Sequence, residues 1–209
     1  HSDRVSLDKL METNMTNYVK NILTVFNQAT YEEAAHGVEW YADARHECNK
    51  MAIKYDLPLR IVVGVCAALS PTNRWERNLI DTDNMLACFI DGGYVEDTSP
   101  CTYKKMRDKA WDILQTNPHN DGDVLFLLRG PKISDFFSCI MGHDVCVIDG
   151  HAWCIANNQR RTMQEVPSIG KKLRAELQDA YVEAGKAFDM TAYEMQAATW
   201  VTWKRIHNV

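Results

Sequence analysis

Long apolar runs are missing from this chain of 209 residues. The longest near its middle, Ile61 to Leu69 ("IVVGVCAAL"), falls far short of the roughly 20 residues that a membrane-spanning helix needs. No membrane partner is expected. The opening "HSDRVSLDK" has neither a charged-then-apolar signal pattern nor an initiating methionine, so His1 and Ser2 read as remnants of an expression tag. Paired cysteines are missing too: the seven Cys include no C-x-x-C, and their odd number argues against a complete disulfide framework. A reducing cytoplasm fits best. Cys66, Cys139 and Cys146 sit in apolar runs and read as small core residues, and no zinc or iron–sulfur site is expected. Period-two strands, fixed-period repeats and low-complexity segments are also lacking, which leaves an all-α chain.

What is present is a series of amphipathic segments. "TNYVKNILTVFNQA" puts Tyr18, Ile22, Val25 and Phe26 on one stripe, and the next segment offers Thr30 as N-cap with Glu33 three positions on. "PLRIVVGVCAALS" lacks alternation and favours a buried helix over a short buried strand. "NRWERNLIDTDNMLACFI" is helical through Trp75, Leu79, Thr82 and Leu86, and Gly92-Gly93 closes it. Later helices are expected over "TYKKMRDKAWDILQ", "GDVLFLL", "KISDFFSCIM" and "DGHAWCIANN". The last two are "SIGKKLRAELQDAYVEAGKAF", capped by Ser168, and "TAYEMQAATWVTWKRIH", capped by Thr191 or Asp189. The expected layout is a set of N-terminal helices (1–56) packed on a core (57–209), with the Gly92–Pro100 loop as the break between two lobes of one unit, and a monomer.

Charge is unevenly spread. The net charge of −5 disfavours unspecific binding to nucleic acid, yet residues 100–175 hold eleven Lys or Arg against eight acids, a local +3, so the remainder carries −8. That permits a phosphate-facing side. Within this stretch, "LLRGPK" reads as a helix end, a tight Arg129-Gly130-Pro131 turn and Lys132 in the first turn of the next helix. A turn of this kind aims backbone N–H groups and the positive end of a helix dipole at solvent, which suits a phosphate. Gly130 allows close approach, and Pro131 starts the helix where its missing donor costs nothing. An ordinary helical turn is the plain alternative.

From Arg129 to Ala156 the chain resembles the core of the helix-hairpin-helix DNA glycosylase superfamily, the endonuclease III-like enzymes. There a hairpin ending G-x-K leads through an apolar helix and a glycine to the aspartate of V-D-T-H. Here "GPK" leads through "ISDFFSCIMG" to "IDGH", with Asp149 17 positions after Lys132. "GVCAALSPTNRWERNLIDT", "YKKMRDKAWDIL" and "AYEMQAATWVTWKRIH" extend the likeness over about Leu57 to Ile206, and the pattern is also similar to a phage-associated family. The resemblance implies a two-lobed all-α fold and Asp149 as catalytic carboxylate. It also implies Lys132 as the Schiff-base nucleophile of bifunctional members, and a DNA-binding hairpin of Arg129, Gly130, Pro131 and Ser134. A carboxylate beside C1′ stabilises the positive charge that builds on the sugar, and a desolvated lysine supplies the amine for a Schiff base. Alternatively Asp149 is a plain N-cap and Lys132 a phosphate contact.

Departures from the family are specific. Leu128 stands where the hairpin's first glycine would fall, Pro131 is unusual, Gly150 replaces the threonine beside the aspartate, and no four-cysteine cluster follows, so no cofactor is implied. Enzymes that act on a base flip it out and stack it on aromatic side chains. Trp75, Tyr41 and Trp153 are the candidates for that role, with Thr72, Asn73, Arg74 and His151 as polar readers of the base. The expected activity is excision of a modified or damaged base from double-stranded DNA, as in DNA repair, in the cytoplasm of a cell or of a phage's host. A phage-type transferase that loads an amino acid or polyamine onto an activated thymine is the alternative enzyme. A non-catalytic DNA-binding protein is the third possibility.

Overall fold

The computed structural model describes residues 17–209, and among them every regular element is helical. The expectation for His1 and Ser2 lies outside the described residues. In chain order the helices are α1 (Asn17–Phe26), α2 (Tyr31–Tyr55), α3 (Leu59–Ala68), α4 (Trp75–Ile90), α5 (Lys104–Thr116), α6 (Asp121–Leu128), α7 (Pro131–Met141), α8 (Gly150–Asn157), α9 (Lys171–Lys186) and α10 (Ala192–His207). None of the described helices is long and apolar enough to cross a membrane. The chain divides into two units: residues up to Tyr41 with His143–Val209, and Ala42–Gly142. Residue 56 and the Gly92–Pro100 loop both fall inside the second unit, because α2 runs unbroken past the boundary at residue 41.

The first unit packs α1, the start of α2, α8, α9 and α10 around one core. Val19, Ile22, Leu23 and Val25 of α1 meet Ile148, Trp153 and Ile155 around α8, Leu177 and Tyr181 of α9, and Met195 and Trp203 of α10. The buried stripe of α1 is thus centred on Val19 and Leu23, with Tyr18 and Phe26 at its rim, because α8 and α9 cover that side. Two capping boxes fix helix starts. Thr30 accepts from the Glu33 N–H at 3.1 Å while Glu33 accepts from the Thr30 N–H at 3.0 Å, and Thr191 and Glu194 do the same for α10. Arg205 then clamps the last turn of α10 onto Glu33 at 3.0 Å and onto the Gln28 carbonyl at 2.8 Å. α9 starts at Lys171 with Gly170 as N-cap, not at Ser168. The chain stays extended at Gly170 after Ile169 packs onto the core, and only then coils.

The second unit is built on α3. Ile61 to Leu69 are all buried, which is why this run shows no polar face and could be read as helix or strand; it is a helix. α5, α7, α6 and α4 pack around it, and the last half of α2 belongs to the same unit. Gly64 permits the approach of α6: a Cβ there would meet Val124 Cγ1 at 2.9 Å. The buried face of α4 is Asn78, Asp81, Thr82, Met85 and Leu86, so polar groups occupy a helical stripe that sequence reading assigned to Leu79 and its neighbours. Cys48, Cys66, Cys139, Cys146 and Cys154 are buried as small residues, while Cys101 is exposed.

Candidate functional site

The hairpin lies wholly in the second unit. α6 is capped at its start by Asn120, whose side chain accepts from the Asp123 N–H at 2.8 Å. It ends at Arg129, where the backbone swings to φ +60°, and Gly130 then runs extended into Pro131, the first residue of α7. Two residues therefore reverse the chain. Arg129, Pro131 and Lys132 are exposed, Gly130 and Ser134 half-buried, and the N-cap of α7 is Gly130, which brings no side chain to cap it. Its early N–H groups are a potential anion site. The Arg129 guanidinium lies 5.1 Å from the Phe126 ring centroid, and Phe126 is itself exposed.

The amine that this region desolvates is Lys109. It donates to the Leu128 carbonyl at the end of α6, and burial, followed by the charges of Lys105 and Arg129, pushes its ammonium below the usual lysine range. Lys132 is exposed.

The polar segment between α3 and α4 is held by one buried carboxylate that sequence reading passed over. Asp81 is 3% exposed; its Oδ2 accepts from Asn73 Nδ2 at 3.0 Å and the Cys101 N–H at 2.8 Å, and its Oδ1 from Arg77 Nε at 2.8 Å. Asn73 also donates to the Leu69 carbonyl at 3.1 Å, and Thr102 Oγ1 donates to the Pro71 carbonyl at 2.6 Å. Thr72 is thereby bent to φ +56° with its side chain exposed beside the exposed Arg74, while Asn73 is turned inward. Trp75, at the start of α4, places its ring 6.2 Å from Phe136 of α7, edge to face, so this segment and the hairpin's second helix meet within one unit. An acid in "LIDTDN" reads as solvated surface. Its signal was the i, i+4 spacing from Arg77 and its place on the stripe with Asn78 and Met85.

Asp149 belongs to the first unit. The segment before it is pinned by Asp144, which accepts from the Ala192 N–H at 2.7 Å, and by the buried Ile148. Asp149 is the N-cap of α8, with Oδ1 accepting from the Ala152 N–H at 2.9 Å. The carboxylate is half-buried, and Oδ2 has no hydrogen-bond donor among the described residues. Behind it lie two groups held neutral: burial first, with the Asp149 charge adding, pushes the Cys154 thiol up and the Tyr181 hydroxyl well above the usual phenol range. Tyr181 donates to the Ala152 carbonyl at 3.1 Å. A Cβ on Gly150 would meet Met163 Sδ at 2.6 Å, so the loop after α8 folds back over the start of that helix.

The aromatic candidates of this unit separate by exposure. Tyr41 is 5% exposed and stacks edge-on against Tyr193 at 5.1 Å, and Trp153 is 8% exposed within the core cluster. His151 is half-buried and meets Trp200 of α10 at 6.3 Å. Asp149, His151, Trp153 and Tyr41 thus share the first unit, while Arg129–Lys132, Ser134 and Thr72–Trp75 share the second.

No curated protein and no solved structure matches this chain. A family profile does match it, over residues 5–207, and the chain therefore belongs to the family of unknown function DUF7178.

Proposed function

We propose that the protein acts on a base in DNA, in the manner of a DNA glycosylase, with Asp149 as the carboxylate that carries the reaction. The observation that supports this most is the state of Asp149. One oxygen is committed to the helix cap at 2.9 Å, the other has no donor among the described residues, and the group stands at the end of the G-P-K to I-D-G-H order. A cap fixes the carboxylate's position, so its second oxygen can face a developing sugar cation without reorganisation. In hydrolysis the C1′–N bond breaks with its electron pair going to the base. A water adds to C1′, and its proton passes to Asp149 Oδ2 and from there to the departing base. Where the neutral Lys132 amine attacks C1′ in place of water, the C1′–N bond breaks toward the base, which takes a proton from Nζ, and opening of the C1′–O4′ bond with proton transfer from Nζ to O4′ leaves an imine on Nζ. Arg129, Gly130 and the uncapped start of α7 fit a DNA phosphate in this reading.

The test is mass spectrometry of free bases and nucleosides after incubation with duplexes carrying several modified bases. Release of a free base is expected, whereas a nucleoside that gains mass would replace hydrolysis by group transfer onto the base. Asp149→Asn keeps a good N-cap and the fold while removing the charge, and should lower the rate by about 10²- to 10⁴-fold. Full activity in that variant would sink the reading. Borohydride trapping assigns Lys132: an adduct lost in Lys132→Gln makes it the nucleophile, and base release without an adduct makes it a phosphate contact.

A further inference from the structure

The first unit carries a set of cations that the hairpin reading leaves unused. Of its Lys and Arg, Lys186 and Arg205 sit against Glu183 and Glu33 at 3.9 and 3.0 Å. Arg160, Arg161, Lys171, Lys172 and Lys204, by contrast, make no ion pair among the described residues. Glu165, the acid nearest in sequence to Arg160 and Arg161, is turned onto its own loop, accepting from the Thr162 N–H at 2.9 Å. In a chain of net charge −5, five such cations on one loop and two helix ends are conspicuous.

These cations are interleaved with aromatic rings, and the rings lead back to Asp149. Lys204 Nζ lies 4.2 Å from the centroid of Trp200, whose other neighbour is His151, two residues after Asp149. Arg161 lies 5.9 Å from the Trp153 centroid. Trp203 packs on His207 at 3.9 Å, and the charge of Arg160 reaches that imidazole and, after burial, helps to hold it below the usual histidine range. The loop that bears both arginines is seated on α8 by Met163 and Val166, which close over Gly150. A cation held against a ring keeps its aliphatic stem ordered, so it loses less freedom when a phosphate arrives.

We infer that Arg160, Arg161 and Lys204, with Trp200 and His151 between them and Asp149, form the surface that grips the nucleic-acid backbone beside the reacting nucleotide. This rests on the reading of the protein as one that acts on DNA, and it places a phosphate grip on the same unit as the carboxylate, independent of the hairpin.

The experiment is fluorescence anisotropy of the full chain with a labelled 20-base-pair duplex across a salt series. The triple variant R160Q/R161Q/K204Q is compared with K50Q/K54Q/K186Q, which removes the same charge elsewhere. Each phosphate contact contributes about 0.9 to the slope of log K against log salt, so the first variant should lose about 2 to 3 from that slope and bind at least tenfold more weakly at low salt. The second should keep the wild-type slope. Equal losses in both variants, or an unchanged slope in the first, would overturn the inference. Duplex binding that depends on these cations with no base chemistry on any DNA would sink the enzymatic reading and leave the grip standing. Base chemistry with an unchanged slope in R160Q/R161Q/K204Q would do the reverse.

Discussion

Gly37 sits in the interior of a helix, where glycine ordinarily weakens the fold. Replacing it by alanine should add about 1 kcal/mol of helix propensity. Its surroundings reverse the sign. A Cβ at residue 37 would stand 2.5 Å from Ala198 Cβ, 2.6 Å from the Glu194 carbonyl oxygen and 2.7 Å from the Ala198 nitrogen, all on α10. Carbon atoms pack best at about 3.5–4.0 Å, so α2 and α10 must part by roughly an ångström, and two of the three obstacles are backbone. Overpacking of this kind costs up to about 3 kcal/mol, which leaves a net loss of about 2 kcal/mol. For a chain of this length that is a fall in Tm of about 4–8 °C, read by circular dichroism at 222 nm. The double variant G37A/A198G removes the nearest carbon but neither backbone atom, so it should recover only part of the loss. A Tm for G37A at or above wild type, or full recovery in the double variant, refutes the argument.

Two further outcomes follow from buried charge. Asp81→Ala strips the acceptor from Asn73, Arg77 and the Cys101 N–H at once, and should cost about 3 kcal/mol in urea unfolding; a loss under about 1 kcal/mol would mean that water replaces the carboxylate. Glu33 is pushed up by burial, but its hydrogen bonds from Arg205 and the Thr30 N–H outweigh that and hold it below the usual glutamate range. A depressed carboxyl stabilises above its unfolded pKa and loses that contribution as pH falls through the folded value, so the stability gap between wild type and Glu33→Gln should narrow from pH 7 to pH 3; a gap that widens on acidification refutes this.

Helix positions were legible wherever a polar face or a cap marks them. The Thr30–Glu33 box and the Asp149 cap formed as the sequence implied, and of Thr191 and Asp189 it is Thr191 that caps α10. Legibility failed where tertiary contacts overrode local signals. Ser168 has the right chemistry for a cap, but Ile169 is drawn onto the core and the helix begins beyond it. α4 buries Asp81 and Asn78 because α3 and the 101–102 segment supply their partners, and no pattern of hydrophobic residues announces that. Desolvation of Lys109 likewise depends on how α5 and α6 pack, which spacing along the chain does not encode.

Gly150 carries the same lesson into the candidate site. Set beside the glycosylase pattern it looks like a loss, a threonine missing next to the aspartate. In the folded chain the space of that side chain is taken by Met163, 2.6 Å from where a Cβ would lie, with Val166 at 3.5 Å. The space beside Gly150 is filled by the end of a flexible methionine, so a threonine there displaces the Met163 thioether from the start of α8. The loop of Met163 also carries Arg160 and Arg161, within the unit that holds Asp149. A glycine that departs from the pattern thus gives the loop bearing Arg160 and Arg161 its contact with the start of α8, through Met163.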